Sequence, residues 1–152
     1  MRATLPPRCV FDASVLIKYV VPEFETKVIL RLLHELFSET GYSLHVPDFF
    51  YIECANILWK KVRRNEIDFD IASGNMADLK QLDLIVTPIN ALTTRALELA
   101  CQLNISAYDA SYVALAEKLQ VPLITADMCL ARKLVGTEFH AITLAEFLPP
   151  TQ

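Results

Sequence analysis

Short apolar runs alternate along this chain with longer stretches whose apolar residues recur at helical spacing. Cys9 to Asp12 predicts a first buried strand, followed by a helix from Ser14 to about Val21 that Pro22 ends. Val28, Leu32 and Leu36 mark a helix from Glu25 to about Glu39, stopped at Gly41. Leu44 to Val46 predicts a short strand, and Pro47-Asp48 opens a long helix reaching about Arg64. A further helix spans Asp68 to about Leu82, and Leu84 to Thr87 is a strand before Pro88. Leu92 to Leu103 and the alanine-rich Tyr108 to Leu119 are helices. Leu123 to Thr125 is a strand, Asp127 to Val135 a helix, and Phe139 to Ile142 a last strand.

Strands that are apolar throughout and separated by helices predict an α/β fold, with a parallel sheet covered on both faces. Right-handed crossovers then gather the loops after the strands along one edge. Ligands of such folds bind outside the carboxyl ends of the strands. Asp12 and Asp127 both fall at that edge.

Four acids interrupt the apolar pattern: Asp12 in CVFDASVLIKYV, Glu53 in FFYIECANILW, Asp109 in SAYDASYVALA and Asp127 in PLITADMCLA. A carboxylate in such surroundings faces a desolvation cost of several kcal/mol unless it is paired, hydrogen-bonded or metal-bound. Taken singly, Asp12, Asp109 and Asp127 each stand where a helix cap or a first-turn acid is expected. Ser14 is an alternative cap for the first helix. Glu53 is harder to explain that way. It and Asn56 are three apart, share one helix face, and are the only strongly polar side chains between Phe49 and Trp59. That pair predicts a polar stripe in a buried helix face. Thr125 places a hydroxyl at a strand end, beside the fourth acid. Together the acids predict one cleft, where mutual repulsion raises each pKa until a cation enters. A divalent ion there lowers the pKa of a water and stabilises charge on a phosphoryl oxygen.

Composition narrows the metal and the setting. The chain has 152 residues, expected to form a single domain over 1–152, with 53% apolar residues and only three glycines. No apolar run approaches the roughly 18 residues of a membrane span, and MRATLPPR lacks the apolar core of a secretory signal. A cytoplasmic location is therefore expected. Cys9, Cys54, Cys101 and Cys129 are widely spaced, form no CxxC, and are expected to be small buried thiols. His34, His45 and His140 form no ligand pair. Oxygen donors favour Mg2+ or Mn2+. Net charge is -4, from 14 basic and 18 acidic side chains. Without the four acids above, the counts balance at 14 each. Lys60, Lys61, Arg63 and Arg64 cluster at one helix end, as do Arg132 and Lys133 after Asp127. They suit flanking phosphates or simply the negative end of a helix. Phe49, Phe50, Tyr51 and Trp59 suit either an exposed patch or the core.

In FDASVLIKYVVPE, IECANILWK and SAYDASYVALAEKLQVPLITADMCLARKL, the chain resembles the PIN-domain ribonucleases, and within them the toxins of VapBC toxin–antitoxin systems. The resemblance covers about Cys9 to Leu148. It implies a three-layer α/β/α fold around a parallel sheet of roughly four or five strands. It implies that Asp12, Glu53, Asp109 and Asp127 hold Mg2+ or Mn2+ and hydrolyse RNA phosphodiesters, with Ser14, Asn56 and Thr125 in support. It also implies a homodimer and a small antitoxin partner that inserts a basic side chain among the acids. Two rival readings exist. One is a non-catalytic module whose acidic pocket binds a basic partner peptide. The other is a phosphoryl-accepting receiver, disfavoured because no lysine closely follows Thr87, Thr125 or Ile142.

Overall fold

The computed structural model describes residues 3–38 and 40–148. Glu39, the expected end of the second helix, lies outside them, as do the first two and last four residues of the expected domain. Five strands alternate with helices: β1 (Arg8–Phe11), β2 (Ser43–Pro47), β3 (Ile85–Thr87), β4 (Leu123–Thr125) and β5 (Ala141–Thr143). They pair in the order β3-β2-β1-β4-β5, every pair parallel. Register is set by pairs such as Val10 with His45 and Val10 with Leu123.

Alternate side chains of the strands feed two cores. Cys9, Phe11, Leu44 and Val46 face α1 (Ala13–Val20), α2 (Thr26–Ser38), α3 (Phe50–Arg63) and α4 (Phe69–Gln81). Val10 and Leu123 face α5 (Thr93–Leu103), α6 (Ala107–Leu119) and α7 (Met128–Leu134). The result is the expected three-layer α/β/α architecture. Asn104 and Gln120 end α5 and α6 in the left-handed conformation, with φ of 53° and 54°. Asparagine tolerates that region better than most residues.

Three expectations need correction. The sheet is not covered throughout, because edge strand β3 leaves Ile85 and Val86 exposed. Cys9 and Cys54 are buried, but Cys101 and Cys129 are exposed on α5 and α7. Apolar residues near them, Leu97 and Met128, are exposed as well. The face of α3 carrying Glu53 and Asn56 is not core either: Asn56 is exposed and Ile52 is 71% exposed. Of the four aromatics near it, Phe50 is buried, Phe49 and Tyr51 are half-buried, and Trp59 is exposed.

The topology fixes where chemistry is possible. From β1 the chain builds outward through β2 and β3, then returns to add β4 and β5 on the other side. The direction of winding therefore reverses between β1 and β4, and a crevice opens at their carboxyl ends.

Candidate active site

Asp12 lies at that crevice. It follows β1, and its backbone N–H donates to the carbonyl of Ile124 on β4 (3.2 Å). Its main chain begins α1, since its carbonyl accepts from Val15 N–H at 3.2 Å. Its side chain makes no capping bond. Both carboxylate oxygens instead accept from hydroxyls: Oδ1 from Ser14 and Oδ2 from Thr125. Ser14 is therefore no cap. Its oxygen also accepts from Ala126 N–H at 3.0 Å, tying α1 to the loop after β4. Thr125 Oγ1 likewise accepts from Asp127 N–H at 3.0 Å.

Asp12 is only 4% exposed. Burial pushes its carboxyl up from 3.8 to about 7, the two hydroxyls partly offset this, and the charges of Asp109 and Glu53 add to it. A carboxylate this buried needs a positive partner to remain ionised at neutral pH. Among the described residues, none of the ion pairs includes Asp12, Glu53, Asp109 or Asp127.

Glu53 stands in the first turn of α3, half-buried, and its Oε1 accepts from the Tyr112 hydroxyl of α6 at 3.0 Å. Its pKa is raised by burial, lowered by that hydrogen bond and raised again by Asp109. Asp109 sits in the first turn of α6. Ser106 caps that helix, accepting from Asp109 N–H at 3.1 Å, so the Asp109 carboxylate is not the cap. Its pKa is raised by burial and by Asp127, and lowered by Ser106. Helix α6 runs into β4, which places its amino end beside the carboxyl edge of the sheet. Asp127 is the acid for which the capping expectation holds. Its Oδ1 accepts from Cys129 N–H (2.9 Å) and Leu130 N–H (3.1 Å) at the start of α7.

Asp12, Glu53 and Asp109 thus feel one another's charge and Asp127 is linked to them through Asp109, with Ser14 and Thr125 bonded to Asp12. Asn56 is one turn along α3 from Glu53. Both line a groove of about 520 Å3 with Phe49, Ile52, Trp59 and Tyr108. The donor set is all oxygen, which suits a hard divalent cation. Among the described residues, no three acidic, histidine or cysteine side chains converge as a ready-made ion cage. Tyr112 and Ser106 were not singled out from sequence. A tyrosine on a helix of small residues is itself a signal, because a buried phenol needs a hydrogen-bond partner.

An all-parallel three-layer α/β protein with carboxylates at its topological switch point is the class that fold and site define. The chain belongs to the PIN-domain family, whose pattern it matches over residues 9–133. It is 34% identical over 128 residues to Ribonuclease VapC3 of Pyrobaculum aerophilum, covering 83% of this chain and 94% of that protein. It is 32% identical over 126 residues to Ribonuclease VapC1 of Mycobacterium tuberculosis, covering 81% and 88%. Among solved structures, it resembles PAE2754 from Pyrobaculum aerophilum with a TM-score of 0.67 at 23% identity, covering 91% of each chain. It also resembles VapBC2 from Rickettsia felis, solved bound to a promoter DNA fragment, with a TM-score of 0.65 at 11% identity. That match covers 90% of this chain and 98% of the other. These likenesses extend to nearly all of the fold described above. Among the described residues no helix is long and apolar enough to cross a membrane.

Proposed function

We propose that the protein is a metal-dependent endoribonuclease that hydrolyses RNA phosphodiester bonds, as the toxin component of a toxin–antitoxin pair. The observation that carries this reading is the buried Asp12 carboxylate, held by two hydroxyls near further acids, with no ion pair to any of them among the described residues. The family and the names of its relatives support the choice of RNA. Asp12, Glu53, Asp109 and Asp127 are assigned as the catalytic and Mg2+- or Mn2+-holding residues. A bound divalent cation would supply stabilisation of the charge that builds on the scissile phosphate.

The chain's own residues prepare that step. Ser14 and Thr125 fix both oxygens of Asp12 and favour its charged form. Tyr112 holds Oε1 of Glu53, and the second carboxylate oxygen is assigned to hold or position a water. Asp127 Oδ1 is committed to α7, so its second oxygen serves the site. Asn56 supports substrate beside Glu53. The proposed setting is a cytoplasmic homodimer of a single-domain protein, held inactive by a cognate antitoxin that supplies the missing positive charge.

The test is RNA cleavage by purified protein with Mg2+ or Mn2+, with EDTA, and with Asp109→Asn as control. Cleavage abolished by EDTA and by the substitution is the expected result. A second reading is a non-catalytic pocket for a basic partner peptide, favoured by the absence of a ready-made ion cage among the described residues. Folded, inhibitor-free protein that cleaves nothing while binding such a peptide would establish it instead.

A further inference from the structure

The face of α3 beyond Asn56 has no part in the chemistry above, yet it carries aromatic and basic side chains. Trp59 is the only tryptophan in the chain and is 50% exposed. It lines the groove that holds Glu53 and Asn56, and also a second groove of about 310 Å3 formed with Lys60, Arg63 and Arg64. The Arg63 guanidinium lies 4.9 Å from the indole centroid, a cation–π contact. At the other wall of the first groove, Tyr108 is 65% exposed, its ring edge-on to Phe49 at 5.6 Å. Of the cations, Lys61 is paired to Glu66 at 3.1 Å, with Arg64 at 3.9 Å from the same carboxylate. Lys60 and Arg63 form no ion pair among the described residues.

These residues follow one another along a helix. Glu53, Asn56, Lys60 and Arg63 advance by three or four positions each, so they share a face about 15 Å long. Acid, amide, aromatic and free cation therefore line one path leading out of the carboxylate cluster. Exposed aromatics interleaved with cations are the chemistry that binds unpaired bases and their phosphates. A base already stacked within a duplex cannot use such a platform.

We infer that Trp59, backed by Arg63 and flanked by Lys60, is a stacking platform for an unpaired base next to the scissile phosphate, so that α3 guides single-stranded RNA into the site. This rests on the ribonuclease reading. Trp59 is here a positioning and selectivity residue, not a catalytic one.

The indole is its own probe. Asp12→Asn protein in Mg2+ is titrated with a short single-stranded oligoribonucleotide, and then with the duplex of the same sequence. The sole tryptophan's emission is read beside the anisotropy of labelled RNA. Single strands are expected to quench the emission saturably and the duplex to quench far less. Trp59→Ala is expected to weaken single-strand binding about tenfold to a hundredfold. Trp59→Phe, which keeps a ring, recovers most of it. Lys60→Ala flattens the salt dependence of binding. Unchanged emission while anisotropy saturates overturns the inference, as does equal binding by Trp59→Ala. Emission that changes with protein concentration but not with RNA also overturns it and shows a second copy on this face. Cleavage by the parent protein is scored separately. A parent that cuts RNA while Trp59→Ala binds and cuts as well sinks only the platform. A quench by single strands without any parent cleavage sinks only the nuclease.

Discussion

The Thr125 hydroxyl donates to Oδ2 of Asp12 across 113 positions of sequence, joining the ends of β4 and β1. Thr125 Oγ1 also accepts from Asp127 N–H at 3.0 Å, so one small side chain positions two of the four acids. Thr125→Val keeps the shape and removes both bonds. The Asp12 pKa then rises further, because the bond from Thr125 lowers it. Cleavage at neutral pH is expected to fall on the order of tenfold, with the acid limb of the pH profile moved to higher pH. Thr125→Ser should restore both. An unchanged profile in Thr125→Val would show that Asp12 does not titrate in the working range.

Burial gives the metal-free protein a stability that depends on pH in an unusual direction. Asp12 titrates at about 7 when folded, against about 3.9 unfolded. Between those values the folded state binds the extra proton, so stability falls as pH rises from about 4 to about 7. Glu53 and Asp109 are shifted the same way and steepen that fall. In EDTA, the thermal midpoint should therefore be lower at about pH 8 than at about pH 5, after allowance for the rest of the chain. Mg2+ should raise it at the higher pH and have little effect at the lower. Asp12→Asn should flatten the slope and remove most of the response to Mg2+. A midpoint that rises with pH in EDTA, equally in parent and variant, would remove Asp12 as its source.

Tyr112 links the two layers of the site, from α6 across to Glu53 on α3. Its ring is fully buried and meets Phe49 edge-on at 5.5 Å. Tyr112→Phe keeps that packing and deletes only the donor. The expected stability loss is about 1 kcal/mol. The expected fall in kcat is about tenfold to a hundredfold, with KM for RNA little changed. Because the lost bond had lowered the Glu53 pKa, activity should recover in part at higher pH. A kcat equal to the parent's at all pH values would leave Tyr112 a core residue only.

Legibility differed sharply between elements. Central strands β1, β2 and β4 were plain because burial on both faces writes short, mostly apolar runs, interrupted in β2 only by His45. Edge strand β5 was expected from Phe139 but begins at Ala141, since its start is set by pairing with Leu123 and not by its own side chains. The acids were legible as exceptions to an apolar pattern, yet their caps were not. Asp12, Asp109 and Asp127 looked alike in sequence, and only geometry separates the buried acid from the first-turn acid and the true cap. Asn56 shows the opposite limit, because an apolar stretch around it suggested burial where the helix in fact faces a groove. Which face of a helix meets solvent depends on what packs against it. That partner is remote in sequence.

Asp127 combines two roles that substitution can separate. As N-cap of α7, its Oδ1 satisfies Cys129 and Leu130 N–H, a role worth about 1 kcal/mol. As a charge, it raises the Asp109 pKa and adds to the demand for a cation. Asparagine caps as well as aspartate but is neutral, whereas alanine does neither. Asp127→Asn should therefore unfold like the parent, while Asp127→Ala loses about 1 kcal/mol. Both should lower the Asp109 pKa, and both should weaken the stabilisation by Mg2+ and the rate of RNA cleavage to a similar extent. Chemical denaturation, Mg2+-dependent thermal shifts and cleavage rates for the pair separate these effects. If Asp127→Asn recovers cleavage as well as stability, the carboxylate charge is dispensable and Asp127 belongs to the scaffold alone.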